Sequence, residues 1–261
     1  MLISQLCTQA QLEVAEYRQW CQRMREPAYF HRKPWEFYFI AQALSERDML
    51  RPGRRGLGFG VGREPLTALF ASYGCSIVAT DQSPGEGRRW QATGEHATGL
   101  SSLNDRDICP ADRFVELVSF RIVDMNAIPD DLRDFDFVWS SCAFEHIGSL
   151  ARGRRFVRRA MDCLRPGGVA VHTTEYAVNL RWFTIPVGRT VFFRERDIRA
   201  IQREAEADGH RLELNLDPGS DPMDRHIDRK PYHSEPHLKL RIGPIVTTSI
   251  GLIITKAGQP K

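Results

Sequence analysis

The stretch RRGLGFGVGREPLTALFASYGCSIVATD, residues 54–81, decides how the chain is read. It reads as strand, glycine turn, helix, strand and carboxylate. Gly56, Gly58, Gly60 and Gly62 alternate through the turn. Without a Cβ, such positions let a ligand approach the backbone and take positive φ at little cost. Pro65 suits the first turn of a helix. Leu66, Leu69 and Phe70 supply that helix with an apolar face, and Gly74 supplies its stop. Ser76–Thr80 reads as a short buried strand ending at Asp81, nineteen residues after Gly62. A βαβ unit with an acidic residue about 20 residues beyond a glycine turn suits a nucleotide, the carboxylate accepting from ribose hydroxyls.

The glycine spacing separates two kinds of cofactor. Counted from Gly58, the pattern GxGxxG ends on Arg63, and from Gly60 it ends on Pro65. GxGxG fits, at Gly58, Gly60 and Gly62. In these residues and in Asp81 the chain resembles the class I S-adenosylmethionine-dependent methyltransferases. The resemblance implies S-adenosylmethionine as cofactor, with Gly58, Gly60 and Gly62 under its methionine part and Asp81, with Gln82 beside it, at the ribose. That family usually carries an acidic residue two places before the first glycine, where this chain has Gly56. The contact to the cofactor's amino group is therefore unassigned.

Further along, Ser119–Val123 reads as a strand ending at Asp124. The resemblance implies that Asp124 accepts from the adenine amino group and that the Met125 N–H donates to a ring nitrogen; a turn aspartate or helix cap is the other reading. Phe135–Ser141, FDFVWSS, is apolar almost throughout, as suits a central parallel strand covered on both faces. It runs into SSCAFEHIGSL, where the resemblance implies that Ser141, Glu145 and His146 face the cavity. Leu150–Leu164 has helical spacing, and its five arginines, 152, 154, 155, 158 and 159, read as a solvated face. RPGG at 165–168 reads as a tight turn before a strand at Val169–Thr174. A helix over Glu195–Asp208, a strand over Arg211–Leu216 and a last strand over Val246–Lys256 follow.

Before the glycine turn, residues 8–26 read as an amphipathic helix, and Pro34 opens a second one running to about Arg47. The aromatic block Tyr29–Phe39 between them packs as core or serves as a lid over the cofactor. His31, Arg32 and Lys33 read as a solvated loop within reach of a substrate. After Asp81 the chain is polar, with one short helix near Glu86–Gln91 and then a long loop of the kind that borders a substrate pocket. The Asp-, His- and Pro-rich segment 217–240 admits three readings: substrate contacts, a metal site using His226, Asp228, His233 and His237 with Asp221 and Asp224, or a structural loop. No metal is expected, because the spacing matches no ligand signature. This segment is expected to fold over the strand ends and bring His226, Asp228 or His233 to the acceptor.

Length and composition set the bounds. A chain of 261 residues buries ~70–75% of its unfolded surface. Its 42% hydrophobic and 26% charged content is ordinary for a globular protein, and a net charge of +3 does not indicate nucleic acid. The six cysteines show no CxxC and read as buried thiols. No apolar run reaches the ~18–20 residues of a membrane span, and the N-terminus has no export signal, so a cytoplasmic location is expected.

Together these readings predict an α/β fold. It is doubly wound (Rossmann-like), with a mostly parallel seven-stranded sheet, a terminal antiparallel strand and an N-terminal helical cap. The division is residues 1–50 as cap or lid and 51–261 as the methyltransferase domain. The expected activity is methyl transfer from S-adenosylmethionine to a small-molecule or carbohydrate acceptor, at oxygen. An oxygen acceptor needs a base: His146 comes first, with Glu145 and His226 as further catalytic candidates and His172 and Glu175 as alternatives. A non-catalytic cofactor-binding protein and a nicotinamide-dependent oxidoreductase are the competing readings, and the glycine spacing disfavours the latter.

Overall fold

Nine strands hydrogen-bond into one sheet in the computed structural model, which describes residues 1–83, 97, 99–180 and 184–258. The expected short helix at 86–91 lies outside the described residues, as do Arg181, Trp182 and Phe183. The strands are β1 (Ser4–Leu6), β2 (Arg55–Phe59), β3 (Ser76–Asp81), β4 (Val118–Ile122) and β5 (Phe135–Ser141). Then come β6 (Leu164–Ala177), β7 (Leu214–Asn215), β8 (Leu240–Ile242) and β9 (Ile245–Thr255). Their spatial order is β4-β3-β2-β5-β6-β9-β1-β7, with β8 paired to β9. Strands β4, β3, β2, β5 and β6 are mutually parallel, and β9 is antiparallel to β6, β1 and β8. This is the doubly wound sheet with an antiparallel strand that the sequence predicts. The two extra strands, β1 and β8, are three residues each, too short for alternation to reveal.

The helices are α1 (Gln9–Glu13), α2 (Ala15–Arg23), α3 (Arg32–Ser45), α4 (Leu66–Ser72) and α5 (Ala111–Leu117). Further on are α6 (Leu150–Asp162), α7 (Glu195–Ala207) and the single turn α8 (Pro222–Arg225). The helix expected over 8–26 is broken at Val14, which is extended (φ −70°, ψ 151°). Arg165–Gly168, expected as a tight turn ahead of the strand, lies within it. The residues loop out as a bulge between the pairs Phe135↔Leu164 and Phe137↔Val169, so β6 starts five residues early. On α6 the cationic face is solvated as expected: Arg154 pairs with Glu204, Arg158 with Asp208 and Arg159 with Asp162.

Strand order reverses between β2 and β5, since the chain proceeds outward to β4 and returns to β5 on the other side of β2. Such a switch point leaves a crevice beyond the carboxyl ends of the strands. Helix α3 sets one wall of that crevice. Its residues from Pro34 to Leu44 are buried except Gln42, so the aromatic block packs as core. Phe39 lies on the sheet where β9 has Gly251, and a Cβ there would overlap the Phe39 ring. The absence of a side chain at 251 is thus what lets α3 sit close to β6 and β9. Gly251→Ala is expected to cost ~1–3 kcal/mol by overpacking, read as a lower urea midpoint at unchanged slope. A midpoint equal to the parent's would show that α3 is not seated there.

Candidate active site

One cavity of about 1390 Å³ opens at the switch point. The glycine turn forms its floor. Gly60 and Gly62 have φ of +59° and +51°, a region costly for other residues. A Cβ on Gly60 would stand 2.9 Å from the Ala143 Cβ. Gly58 lies within β2, off the cavity wall; a Cβ there would strike Trp139 and Val61. Gly56 faces inward in the same way, against the Phe137 ring. A side chain at 56 has no room, which accounts for the missing carboxylate.

Asp81 ends β3 and is 6% exposed. Its Oδ2 accepts from the Gly62 N–H at 3.1 Å and the Ala97 N–H at 3.3 Å, and its Oδ1 accepts from the Gln82 N–H at 2.8 Å. The turn and the carboxylate are therefore one hydrogen-bonded unit. Asp124 follows β4, and its Oδ1 accepts from the Asn126 N–H at 2.8 Å, closing a turn of its own. Gly60, Gly62, Asp81, Gln82, Asp124, Met125, Ser141, Glu145 and His146 all line the cavity.

His226 does not. It is exposed and follows α8 on the outer side, where Asp221 and Asp224 cap that turn. The residue of segment 217–240 that lines the cavity is His237. Among the described residues no group of three or more His, Cys, Asp or Glu is placed to hold a metal ion. His172 is fully buried beneath the cavity, its Nδ1 at 2.8 Å from the Ser140 hydroxyl. Burial holds it neutral, down to about 3.

The two cations at the head of α3 are paired: Arg32 is largely buried, and Lys33, though partly exposed, is engaged on the cavity side. The Lys33 ammonium stands 3.1 Å from Glu36 and 3.4 Å from Glu64, and donates to the Ser141 hydroxyl at 3.4 Å. Arg32 pairs with Glu175 at 2.5 Å. Glu36 also accepts from the Ser249 hydroxyl at 2.5 Å. Burial works against its charge, but Lys33 and Arg32 outweigh it and hold its carboxyl low. Glu36 was overlooked in the sequence, although a lone carboxylate inside PWEFYF is a signal: such a helix position has no solvent to face.

Glu64 and Glu145 are placed differently. Burial pushes Glu64 up to about 8 against the pull of Lys33, and its Oε2 is buried with no partner among the described residues. Glu145 is wholly buried in the 3-10 turn Phe144–His146 after β5. Its Oε2 accepts from the Thr174 hydroxyl at 3.0 Å, and its Oε1 has no partner among the described residues. Burial, then the neighbouring Glu175 charge, push it up to about 8. His146 Nδ1 lies 3.1 Å from both the Arg189 carbonyl and the Thr190 hydroxyl.

Comparison with known proteins agrees with this geometry. Residues 57–172 match the model of a methyltransferase domain family. Those residues form a class I S-adenosylmethionine-dependent methyltransferase domain. Over 143 residues the chain is 32% identical to a malonyl-[acyl-carrier protein] O-methyltransferase of Enterobacter lignolyticus (strain SCF1). That match spans 54% of this chain and 46% of the relative, under half its length. A methyltransferase from Clostridium acetobutylicum ATCC 824 superposes with a TM-score of 0.52 at 12% identity, covering 96% of this chain and 95% of that one. Magnesium protoporphyrin IX methyltransferase from Synechocystis PCC 6803 gives 0.51 at 11% identity over 94% and 86%. At such identities the two structures show a shared fold.

The raised Glu145 carboxyl has a consequence for stability. The folded chain keeps this proton to about pH 8, whereas the ordinary value of 4.5 governs the unfolded chain. Between those values folding takes up a proton, so the contribution to stability falls as pH rises and is lowest above 8. Glu145→Gln removes that dependence. The parent is expected to lose stability relative to the variant from pH 5 to 8.5 in urea unfolding, and parallel curves would show that Glu145 titrates normally.

Proposed function

We propose that the chain transfers a methyl group from S-adenosylmethionine to a hydroxyl oxygen of a small-molecule or carbohydrate acceptor. One observation carries this reading: a single cavity joins the Gly60–Gly62 turn and Asp81 on one side to a buried carboxylate with a bare oxygen, Glu145, on the other. The residues fit the cofactor. The floor at Gly60 is a cradle that a Cβ would fill. Asp81, with Gln82, accepts from ribose hydroxyls, and Asp124 and Met125 border the adenine. Lys33 and Glu64 flank the turn as an ammonium and a carboxyl group, one to meet the carboxylate and the other the amino group of the methionine end. Glu64 thereby takes the place that the packing of Phe137 denies to residue 56. When bound, the cofactor supplies an electrophilic methyl group on a sulfonium.

The chain's own part is to hold the acceptor in line, exclude water and receive a proton. Glu145 receives it at Oε1 once ionised, so turnover rises with pH toward 8, and a carboxylate raised that far is a stronger base than an ordinary one. Ser141 borders the same point through its bonds to Lys33 and Glu36. His146 stands at the cavity wall, its Nδ1 side engaged by Arg189 and Thr190, as a secondary route for the proton. The relative's name supports oxygen as the methylated atom. Among the described residues no helix is long and apolar enough to cross a membrane, consistent with a freely diffusing acceptor.

Calorimetry against S-adenosylhomocysteine and NADH tests the cofactor assignment. S-adenosylhomocysteine is expected to bind and NADH to fail. Asp81→Ala should weaken binding by roughly 1.5–3 kcal/mol, the value of a hydrogen bond to a charged group. Equal affinity in parent and variant removes Asp81 from the site. Glu145→Gln tests the chemistry: turnover should collapse while S-adenosylhomocysteine binds as before. Absence of turnover with every acceptor, with cofactor binding intact, would favour a non-catalytic binding protein.

A further inference from the structure

Two arginines of the cavity wall stand outside the roles assigned so far. Of the lysines and arginines that line the cavity, Arg32, Lys33, Arg63 and Arg106 pair with Glu175, Glu36, Asp105 and Glu26. Arg152 and Arg189 line it too, are exposed at its mouth, and form no ion pair among the described residues.

The backbone sets both on one stretch of wall. The Gly188 N–H donates to the Gly148 carbonyl at 3.0 Å and the Leu150 N–H to the Pro186 carbonyl at 3.0 Å, with Ser149 and Val187 bridged between them. Arg189 follows directly, its carbonyl 3.1 Å from His146 Nδ1. Arg152 lies in the first turn of α6 and folds back over Gly148. A Cβ on Gly148 would stand 2.9 Å from Arg152 Nη1, and the φ of +104° there is one that side chains rarely adopt. Glycine at 148 thus gives the guanidinium its seat. The same Nη1 reaches the Ile147 carbonyl only at 3.5 Å, a long contact, so most of the five guanidinium N–H donors remain for a ligand. The first turn of α6 has no acidic residue to neutralise the charge. The positive wall also continues outward: Arg152 borders a smaller cavity of about 190 Å³ together with Arg155 and Arg159.

We propose that Arg152 and Arg189 form an anion subsite at the mouth of the cavity, which holds a phosphate or carboxylate group of the acceptor. Guanidinium donors match the oxygens of either group. At about 1390 Å³ the cavity exceeds the ~300–1,000 Å³ of a site for one small ligand, so an acceptor has room beside the cofactor. The subsite is separate from the place of the cofactor's own carboxylate, which Lys33 meets at the glycine turn. It lies instead beside His146, the residue after Glu145. Glu36 and Glu175 carry their charges further in, paired as they are with Lys33 and Arg32, and leave no unpaired cation there for an anion. An anionic acceptor is therefore held by its charge at the arginine wall, with an uncharged hydroxyl turned inward to Glu145. The acceptor class narrows to hydroxylated small molecules bearing one oxyanion, such as a sugar phosphate or a sugar acid. This assignment rests on the methyltransferase reading above.

The test uses the full chain saturated with S-adenosylhomocysteine. Ligand-observed NMR titrations follow three probes: α-D-glucose 1-phosphate, D-glucuronate and the neutral methyl α-D-glucopyranoside. At least one charged probe is expected to bind ~10-fold more tightly than the neutral one, and the two charged arms tell phosphate from carboxylate. Arg152→Gln and Arg189→Gln should each weaken that probe ~10-fold, the loss of about one charge-assisted hydrogen bond. S-adenosylhomocysteine affinity, measured on the same samples, stays unchanged. Arg158→Gln removes the same charge from the outer face of α6, where Arg158 pairs with Asp208, and should alter neither ligand. Raising the salt should weaken the charged probe and not the neutral one. No binding of either charged probe, equal affinity for charged and neutral probes, unchanged affinity in either cavity variant, or an equal loss in Arg158→Gln overturns the subsite and leaves the cofactor assignment standing. Failure to bind S-adenosylhomocysteine overturns the methyltransferase reading instead.

Discussion

The Lys33 ammonium is the constraint on which the cavity depends. It stands between Glu36 on its own helix and Glu64 beyond the glycine turn, and it donates to Ser141 at the end of β5. Arg32 does the same across the cavity by pairing with Glu175 on β6. Desolvating these groups is costly, and such pairs contribute little net stability compared with apolar packing; removing one partner is what destabilises strongly. Their effect is positional. With the charges in place, α3 can meet the strand ends in one register only. The packing of Phe39 over Gly251 then fixes how closely it approaches.

The balance of charge around that constraint explains why two carboxylates remain poorly satisfied. Among the groups that line the cavity, Glu36 and Glu175 are the glutamates closely paired with Lys33 and Arg32. They also take the hydroxyls of Ser249 and Thr247. Glu64 and Glu145 are left with bare buried oxygens. Buried polar atoms without partners are rare in folded proteins, and a cavity lined by two of them is incomplete by itself. A ligand with polar groups at these points supplies the missing partners, an argument independent of the glycine turn.

The glycine-turn side of the cavity was legible in the sequence, because it is built from one continuous unit. Strand, turn, helix and carboxylate follow each other between Arg54 and Asp81, so the spacing in the chain is the spacing in space. Asp124 and Ser141 were legible for a related reason: each follows a strand whose apolar run announces its end. Gly58 shows where such reading goes too far. It fits the turn pattern, yet its missing side chain serves Trp139, not a ligand. Gly56 is the converse, a departure that looked like a lost contact and is a packing requirement.

The opposite side of the cavity was legible only as a density of polar residues, because it is assembled from segments that no spacing rule connects. His31 comes from the head of α3, Glu145 and His146 from the turn after β5, Glu175 from β6, and His237 from the segment before β8. What joins the first and last is a backbone bridge between His31 and His237. Segment 217–240 reaches the cavity through His237 and not through His226. The difference lies in Asp228: its N–H donates to the Lys239 carbonyl at 2.9 Å, and the Arg241 N–H donates to its carbonyl at 2.8 Å. That anchoring buries the carboxylate beside β8 and aims it at His237, whereas His226, two residues earlier, has already left the sheet. A histidine near an aspartate in sequence is common. Whether they meet depends on which of them the backbone ladder holds, and only the folded chain shows that.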